Sequence, residues 1–164
     1  MRKLLSRTAC GSVLVALGAL GAHLAVAEGP TSNGPLEIRV TSAGGASPSL
    51  DVQLVWHGKE AIEIPRASLP WEDRYSLLLI AATTDGEILE PALPVEDGGY
   101  QTAKLSPRVV LSGRIDLDDR FPSLRSELKS RDVLIFWSYQ LRPLRREALE
   151  RLGGWLLLRG GTSR

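Results

Sequence analysis

A short apolar stretch, residues 132–142, constrains the fold of this chain more than any other feature. It reads DVLIFWSYQLR, and Ser138 is the only polar residue between Val133 and Tyr139. Charged residues flank the run on both sides, and a proline closes it. A short run rich in β-branched and aromatic residues predicts a strand that is buried on both faces. Truncation of Phe136 in such a strand is expected to cost about 3–5 kcal/mol.

Shorter stretches of alternating polarity recur along the rest of the chain, separated by Pro and Gly. Residues 36–41 and 50–57 alternate as half-buried strands do, residues 75–82 form a second strongly apolar run, and residues 109–117 follow. Only residues 143–152 (PLRREALERL) have clear helical periodicity, and two glycines end that segment. The pattern predicts an all-β fold, an antiparallel immunoglobulin-like β-sandwich with one short C-terminal helix.

The strand pattern also predicts which residues are buried, and it leaves room for one helical turn at residues 123–129. The expected core comprises Leu54, Trp56, Leu77, Leu79, Val110, Ile115, Leu134, Phe136 and Leu156.

The first 27 residues have the features of a secretory signal peptide, with a basic start, an apolar middle and an Ala-Val-Ala end. An uncleaved membrane anchor is the alternative interpretation. Cleavage leaves a flexible lead-in at 28–35, a single sandwich domain at 36–159 and a tail at 160–164. The only cysteine, Cys10, lies before the cleavage point, so the processed chain has no disulfide. We therefore expect a periplasmic or secreted bacterial protein with no stable membrane span after cleavage.

Charge is divided unevenly along the chain. Residues 28–119 carry 7 basic and 15 acidic side chains, and residues 120–164 carry 10 basic and 4 acidic ones. Such a division can mark a basic segment for an acidic partner, but we favour pairing of the two parts across one sheet or across a dimer. The small net charge does not indicate nucleic-acid binding.

Residues 105–117 (LSPRVVLSGRIDL) resemble the later part of immunoglobulin-like accessory domains of secreted bacterial proteins, such as those found beside deuterolysin-type metalloproteases. Leu105 and Pro107 match a Leu-x-Pro-Gly turn, and residues 115–117 match the apolar-Asp-Leu end of the strand that follows. Arg108 stands where the turn glycine is expected. The resemblance covers roughly residues 75–141 and implies an accessory sandwich with no catalytic residue.

Residues suited to catalysis are few. His57 is the only histidine after the expected cleavage point, whereas a zinc site usually has several His or Cys ligands. A triad would need Asp51 behind His57, but no serine lies in a nucleophile-elbow context. We therefore assign no catalytic residue, no metal and no cofactor. A small hydrolase that uses loop carboxylates such as Asp97 and Asp118 is kept as an alternative function.

Binding residues are easier to nominate. Trp71 lies in a loop, where an exposed indole can stack on a sugar or hold a partner protein. Arg145 and Arg146 belong to a basic cluster on the expected C-terminal helix. The leading hypothesis is an exported, non-catalytic binding or accessory protein that meets a protein partner. A carbohydrate-binding module that uses Trp71 is the first alternative.

Overall fold

The structure is a computed structural model that describes residues 34–43, 47–93 and 101–161. The expected signal peptide and the predicted loop at 94–99, which contains Asp97, lie outside these residues. The described residues form eight strands and one short α-helix. In chain order these are β1 (Leu36–Ala43), β2 (Ser49–Trp56), β3 (Ile62–Pro65), β4 (Leu77–Thr83), β5 (Thr102–Leu105), β6 (Val110–Asp116), α1 (Leu124–Glu127), β7 (Val133–Tyr139) and β8 (Leu152–Leu158).

Two antiparallel sheets of three strands each make up the sandwich. The first sheet has the order β1-β2-β6 and the second has the order β4-β7-β8, while β3 and β5 form a separate two-stranded ribbon. These orders are those of the A-B-E and C-F-G strands of an immunoglobulin sandwich. The predicted all-β antiparallel sandwich is confirmed.

The core lies between the two three-stranded sheets because each strand turns alternate side chains inward. In β2, Leu50, Val52 and Leu54 are fully buried, and in β7 the inward residues include Ile135 and Tyr139. Buried side chains of both sheets belong to one apolar cluster. The phenol of Tyr139 donates a hydrogen bond to the Ser68 carbonyl oxygen at 2.9 Å, so this buried polar group is satisfied.

Three tryptophans each lie flat against a glycine. The pairs are Trp56 with Gly58, Trp71 with Gly113, and Trp137 with Gly154. A Cβ atom at any of these glycines would overlap the indole, so the missing side chain makes the space that the ring fills. The indole N–H of Trp56 also donates to the Glu60 carbonyl oxygen at 2.7 Å.

The prediction that β7 is buried on both faces is wrong. Buried and more exposed residues alternate along this strand, and Phe136 is 42% exposed. In β6, Val110, which was also expected in the core, is 54% exposed. A sandwich has two layers, so each sheet has one inner face and one outer face. Every second residue of a strand therefore points outward. Leu134 lies at an outward position of β7 and is partly buried, whereas Leu79 lies at an inward position of β4 and is also only partly buried. The other expected core residues are buried, namely Leu54, Trp56, Leu77, Ile115 and Leu156.

The predicted C-terminal helix at 143–152 is also wrong. This segment contains a turn and extended backbone, and β8 begins at Leu152. Two of its amides donate outside the segment, Leu144 N–H to the carbonyl oxygen of Glu63 in β3 and Leu149 N–H to that of Leu141. The one α-helix among the described residues is α1, which falls within the helical turn predicted at 123–129, and a 3-10 helix is also present at Arg66–Ser68.

Arg108, at the position where a turn glycine was expected, has a φ of 61°, in the left-handed region that favours glycine.

Pairing of the acidic and basic parts of the chain is also present. Ion pairs join Arg131 with Asp85 and Glu87, Arg125 with Asp118, and Arg146 with Glu60.

Candidate functional site

The outward side of the β4-β7-β8 sheet is apolar, and we call it the apolar face. Strand register arranges its nine residues in three rows. The first row is Leu78, Ser138 and Gly153, the middle row is Ile80, Phe136 and Trp155, and the third row is Ala82, Leu134 and Leu157. In the middle row, Ile80 is 54% exposed and Trp155 is 41% exposed. None of the nine residues is charged.

The outward side of the β1-β2-β6 sheet provides an internal comparison, because it is polar. There Arg114 forms an ion pair with Asp51 at 2.9 Å, and Glu37 accepts from His57 Nε2 at 2.9 Å. Val110 is an exposed apolar residue on this side. Solvated sheet faces normally alternate apolar-in and polar-out, so the apolar face departs from the pattern that the other sheet follows.

Charge bounds the apolar face beyond its third row. Asp132 accepts a hydrogen bond from the Gly160 N–H at 2.8 Å and from Arg159 at 2.8 Å. The Gly160 N–H, followed by Arg159, lowers the pKa of Asp132. Close by, Arg131 bridges the exposed carboxylates of Asp85 and Glu87 at 2.9 and 3.1 Å. This end of the face therefore carries several carboxylates, each hydrogen-bonded to an arginine.

Beyond the first row the face meets a depression of about 360 Å³, which we call the arginine pocket. Its lining includes Arg142, Arg151 and Asp73. The guanidinium of Arg151 donates to Ser138 Oγ and to Gln140 Oε1, both at 3.3 Å. Among the described residues, no carboxylate lies within ion-pair distance of Arg142 or Arg151. The two ends of the apolar face therefore differ in charge.

A second, more apolar depression of about 250 Å³ lies beside β4 and contains two further arginines. Arg74 donates to the Ala92 carbonyl oxygen at 3.3 Å, and Arg120 donates to the Asp73 carbonyl oxygen at 3.4 Å. Burial, and then the charge of Arg74, lowers the pKa of Arg120. These side chains hold the loop before β4 in place through backbone carbonyls.

The structure separates Trp71 from the other two predicted binding residues, Arg145 and Arg146. Trp71 is partly buried and lies on Gly113, against the inward side of the β1-β2-β6 sheet. Arg145 and Arg146 line a different depression, of about 210 Å³, next to β3. Arg146 also lies 3.7 Å from the Glu60 carboxylate. The expected basic cluster is divided because the helix that would have joined its members does not form.

The groups nominated for catalysis are also engaged separately. His57 contacts Glu37, whereas the carboxylate of Asp51 is held by Arg114. Asp118 pairs with Arg125. Over residues 34–43, 47–93 and 101–161, no group of three or more His, Cys, Asp or Glu side chains is arranged to hold a metal ion. In the same part of the chain, no helix has the length and apolar character needed to cross a membrane.

The exposed residues of the middle row were missed by the sequence reasoning. The apolar run at residues 132–142 predicted a strand buried on both faces, and the run at residues 75–82 predicted a second strongly buried strand. A two-layer sandwich offers each sheet only one inner side, so apolar residues at both parities of adjacent strands predict an exposed apolar face. That signal was present in the sequence. Comparison of the chain with protein-family models and with curated proteins found no match.

Proposed function

We propose that this protein is an exported, non-catalytic binding module that holds a protein partner through the apolar face. The observation that carries the proposal is the side-by-side exposure of Ile80, Phe136 and Trp155 in the middle row. Contiguous exposed apolar patches on soluble proteins are typical of interaction surfaces. Aromatic side chains are enriched at the centres of such interfaces. The signal-like first 27 residues support export.

The size of the middle row indicates how strongly it can contribute. Three half-exposed side chains of this size offer roughly 300 Å² of apolar surface. Covering them contributes about 7 kcal/mol of favourable binding free energy, before the cost of association is subtracted. Association itself costs about 4–15 kcal/mol. The middle row therefore suits the centre of an interface, and the residues around it have to supply the remaining free energy.

The same face suits a protein better than a sugar. Carbohydrate recognition needs hydrogen-bonding groups beside an aromatic platform, and Ser138 supplies the only polar side chain within the three rows. Trp71, which was nominated for sugar stacking, is partly buried against Gly113, so only part of its side chain is accessible to a ligand. Asp118, which was nominated for a hydrolase, is paired with Arg125.

Variants on opposite sheets test the proposal. Ile80→Asp places a charge in the middle row, and Val110→Asp places the same charge at an equally exposed position on the other sheet. Each tagged chain is expressed in cells that export it, cross-linked there and recovered, and its partners are identified by mass spectrometry. Ile80→Asp should lose the specific cross-linked partner, while Val110→Asp should retain it. Recovery of the same partner with Ile80→Asp would refute the proposal.

A further inference from the structure

We infer that the protein partner on the apolar face is a second copy of this chain, stacked face to face about a two-fold axis that runs across the strands. The inference rests on the proposed function, because it names the partner of the same surface. Three features of the described residues carry it. They are the order of large and small residues in the rows, the charges at the two ends of the face, and its area.

A two-fold axis across the strands places each strand over its own copy, running in the opposite direction. The middle row then lies over itself, and the first row lies over the third row of the partner copy. Since the register fixes the rows, it also fixes which residues oppose one another. The opposed pairs are Leu78 with Ala82, Ser138 with Leu134, and Gly153 with Leu157.

Each of these pairs joins a large residue with a small one. Stacked sheets lie about 10 Å apart, and their side chains interdigitate best when large and small residues face each other. Leu78 is 47% exposed, so it projects far enough to occupy the space above Ala82. Leu157 similarly faces the gap that Gly153 leaves. The first and third rows are therefore complementary to each other in this orientation, while the large residues of the middle row meet their own copies.

The charges of the two ends favour the same orientation. The arginine pocket contains Arg142 and Arg151 with one carboxylate, Asp73. The end beyond the third row has more carboxylates than arginines. Its two arginines, Arg131 and Arg159, form ion pairs with four carboxylates, those of Asp85, Glu87, Glu127 and Asp132. A two-fold axis across the strands brings the basic end of one copy over the acidic end of the other. An axis along the strands would instead bring like ends together.

The area predicts a reversible association. Three strands spaced by about 4.8 Å, and five outward positions spaced by about 6.8 Å, give roughly 490 Å² of flat surface per copy when one row of polar or charged residues beyond each end is counted with the three rows. Two copies together bury about 980 Å² before the relief of the side chains is counted, which is close to the 1,000 Å² or so of a specific interface. We therefore expect monomer and dimer to exchange at micromolar concentrations.

Sedimentation equilibrium of the purified protein tests the inference. The average mass of the unaltered protein should rise from one toward two chain masses between low and high micromolar concentrations. Ile80→Asp, and independently Trp155→Arg, should remain monomeric, whereas Val110→Asp should dimerise like the unaltered protein. Circular dichroism spectra and melting temperatures of the variants show whether each one is folded.

Cross-linking tests the axis. In a chain with Cys10→Ser, a cysteine is introduced either at Leu134 or at Ser138, and a short bis-maleimide is added. The mixture of the two variants should form the covalent dimer, because each position faces the other across the interface. Either variant alone should not, whereas an axis along the strands would make each variant cross-link to itself. Efficient self-cross-linking would overturn the proposed orientation.

The outcomes separate this inference from the proposed function. A protein that stays monomeric at every concentration overturns the inference. If Ile80→Asp then still abolishes cross-linking to a different protein in cells, the proposed function stands with another partner. If the protein is monomeric and Ile80→Asp changes no cross-linked product, both are wrong.

Discussion

The contact between Trp71 and Gly113 determines whether Trp71 is a packing residue, and a substitution at the glycine tests it. A Cβ atom at Gly113 would lie 2.6 Å from Cδ1 of the indole and closer still to two other ring atoms. Carbon atoms normally approach to about 3.5–4.0 Å. Gly113→Ala therefore forces the ring to move by about 1 Å or to leave its site.

Both responses are costly to stability. Overpacking of a well-filled site costs about 1–3 kcal/mol. Expulsion of the ring forfeits part of the roughly 3–5 kcal/mol that a buried tryptophan contributes, and Trp71 is only partly buried. We expect Gly113→Ala to lower the free energy of unfolding by about 2 kcal/mol.

A double-mutant cycle isolates the contact. In a Trp71→Ala background the ring is absent, and alanine is favoured over glycine inside a strand by about 0.5–1 kcal/mol. Gly113→Ala should then be neutral or stabilising, which gives an interaction free energy of about 2–3 kcal/mol between the two sites. The midpoints and slopes of urea unfolding curves, followed by circular dichroism, supply the four free energies.

The control is Gly161→Ala, because a Cβ atom there meets nothing within 4 Å. Its stability should stay within about 0.5 kcal/mol of the unaltered protein. The reasoning would be refuted if Gly113→Ala raised the urea midpoint, or if its cost were the same with and without the tryptophan. Either result would make Trp71 a candidate for ligand binding again.

Three further predictions follow from burial and hydrogen bonding. Phe136→Ala should cost only about 1 kcal/mol because the ring is half exposed, whereas Ile135→Ala should cost about 2–5 kcal/mol by opening a core cavity, as urea unfolding will measure. Tyr139→Phe removes the donor to the Ser68 carbonyl oxygen and should lower the unfolding free energy by about 1–2 kcal/mol, while an unchanged midpoint would mean that the bond contributes nothing. A backbone N–H and a guanidinium lower the pKa of Asp132, so its carboxylate stabilises the fold above about pH 4 and that contribution is lost as the pH falls through the lowered pKa. Asp132→Asn should therefore lose less stability than the unaltered protein between about pH 5 and about pH 2, and parallel pH profiles would contradict this assignment.

The strands could be predicted from sequence because period-two alternation is local. Residues 36–41, 50–57 and 109–117 alternate clearly, and β1, β2 and β6 lie there. The short helical turn before β7 was likewise visible in the polar residues at 123–129. These features depend on neighbours within one strand or one turn.

The C-terminal segment shows where local pattern fails. Residues 143–152 have good helical spacing, yet the amides of Leu144 and Leu149 donate to Glu63 and Leu141. A helix of ten residues has little intrinsic stability in water. Backbone partners in β3 and just after β7 therefore favour the observed conformation of residues 143–152. Glu63 is distant in sequence, so its contact with Leu144 was not predictable from the local pattern.

The candidate site could be predicted only in part. The apolar character of residues 75–82 and 132–142 was recognised and assigned to the core. That assignment holds for the inward residues of β4 and β7 and fails for the outward ones. The sequence does not show which residues of these strands point inward, because both the odd-numbered and the even-numbered positions of β4 and β7 are mostly apolar. Only the two-layer packing of the sheets decides that Ile135 is buried and Phe136 is exposed.

The pairing of three tryptophans with glycines has a consequence for spectroscopy. Trp56 and Trp137 are shielded in the core, and Trp71 is partly shielded by its glycine, whereas Trp155 projects into solvent from the middle row. A collisional quencher such as iodide should therefore act chiefly on Trp155. The native fluorescence then reports whether the apolar face is open or covered, and no attached dye is needed.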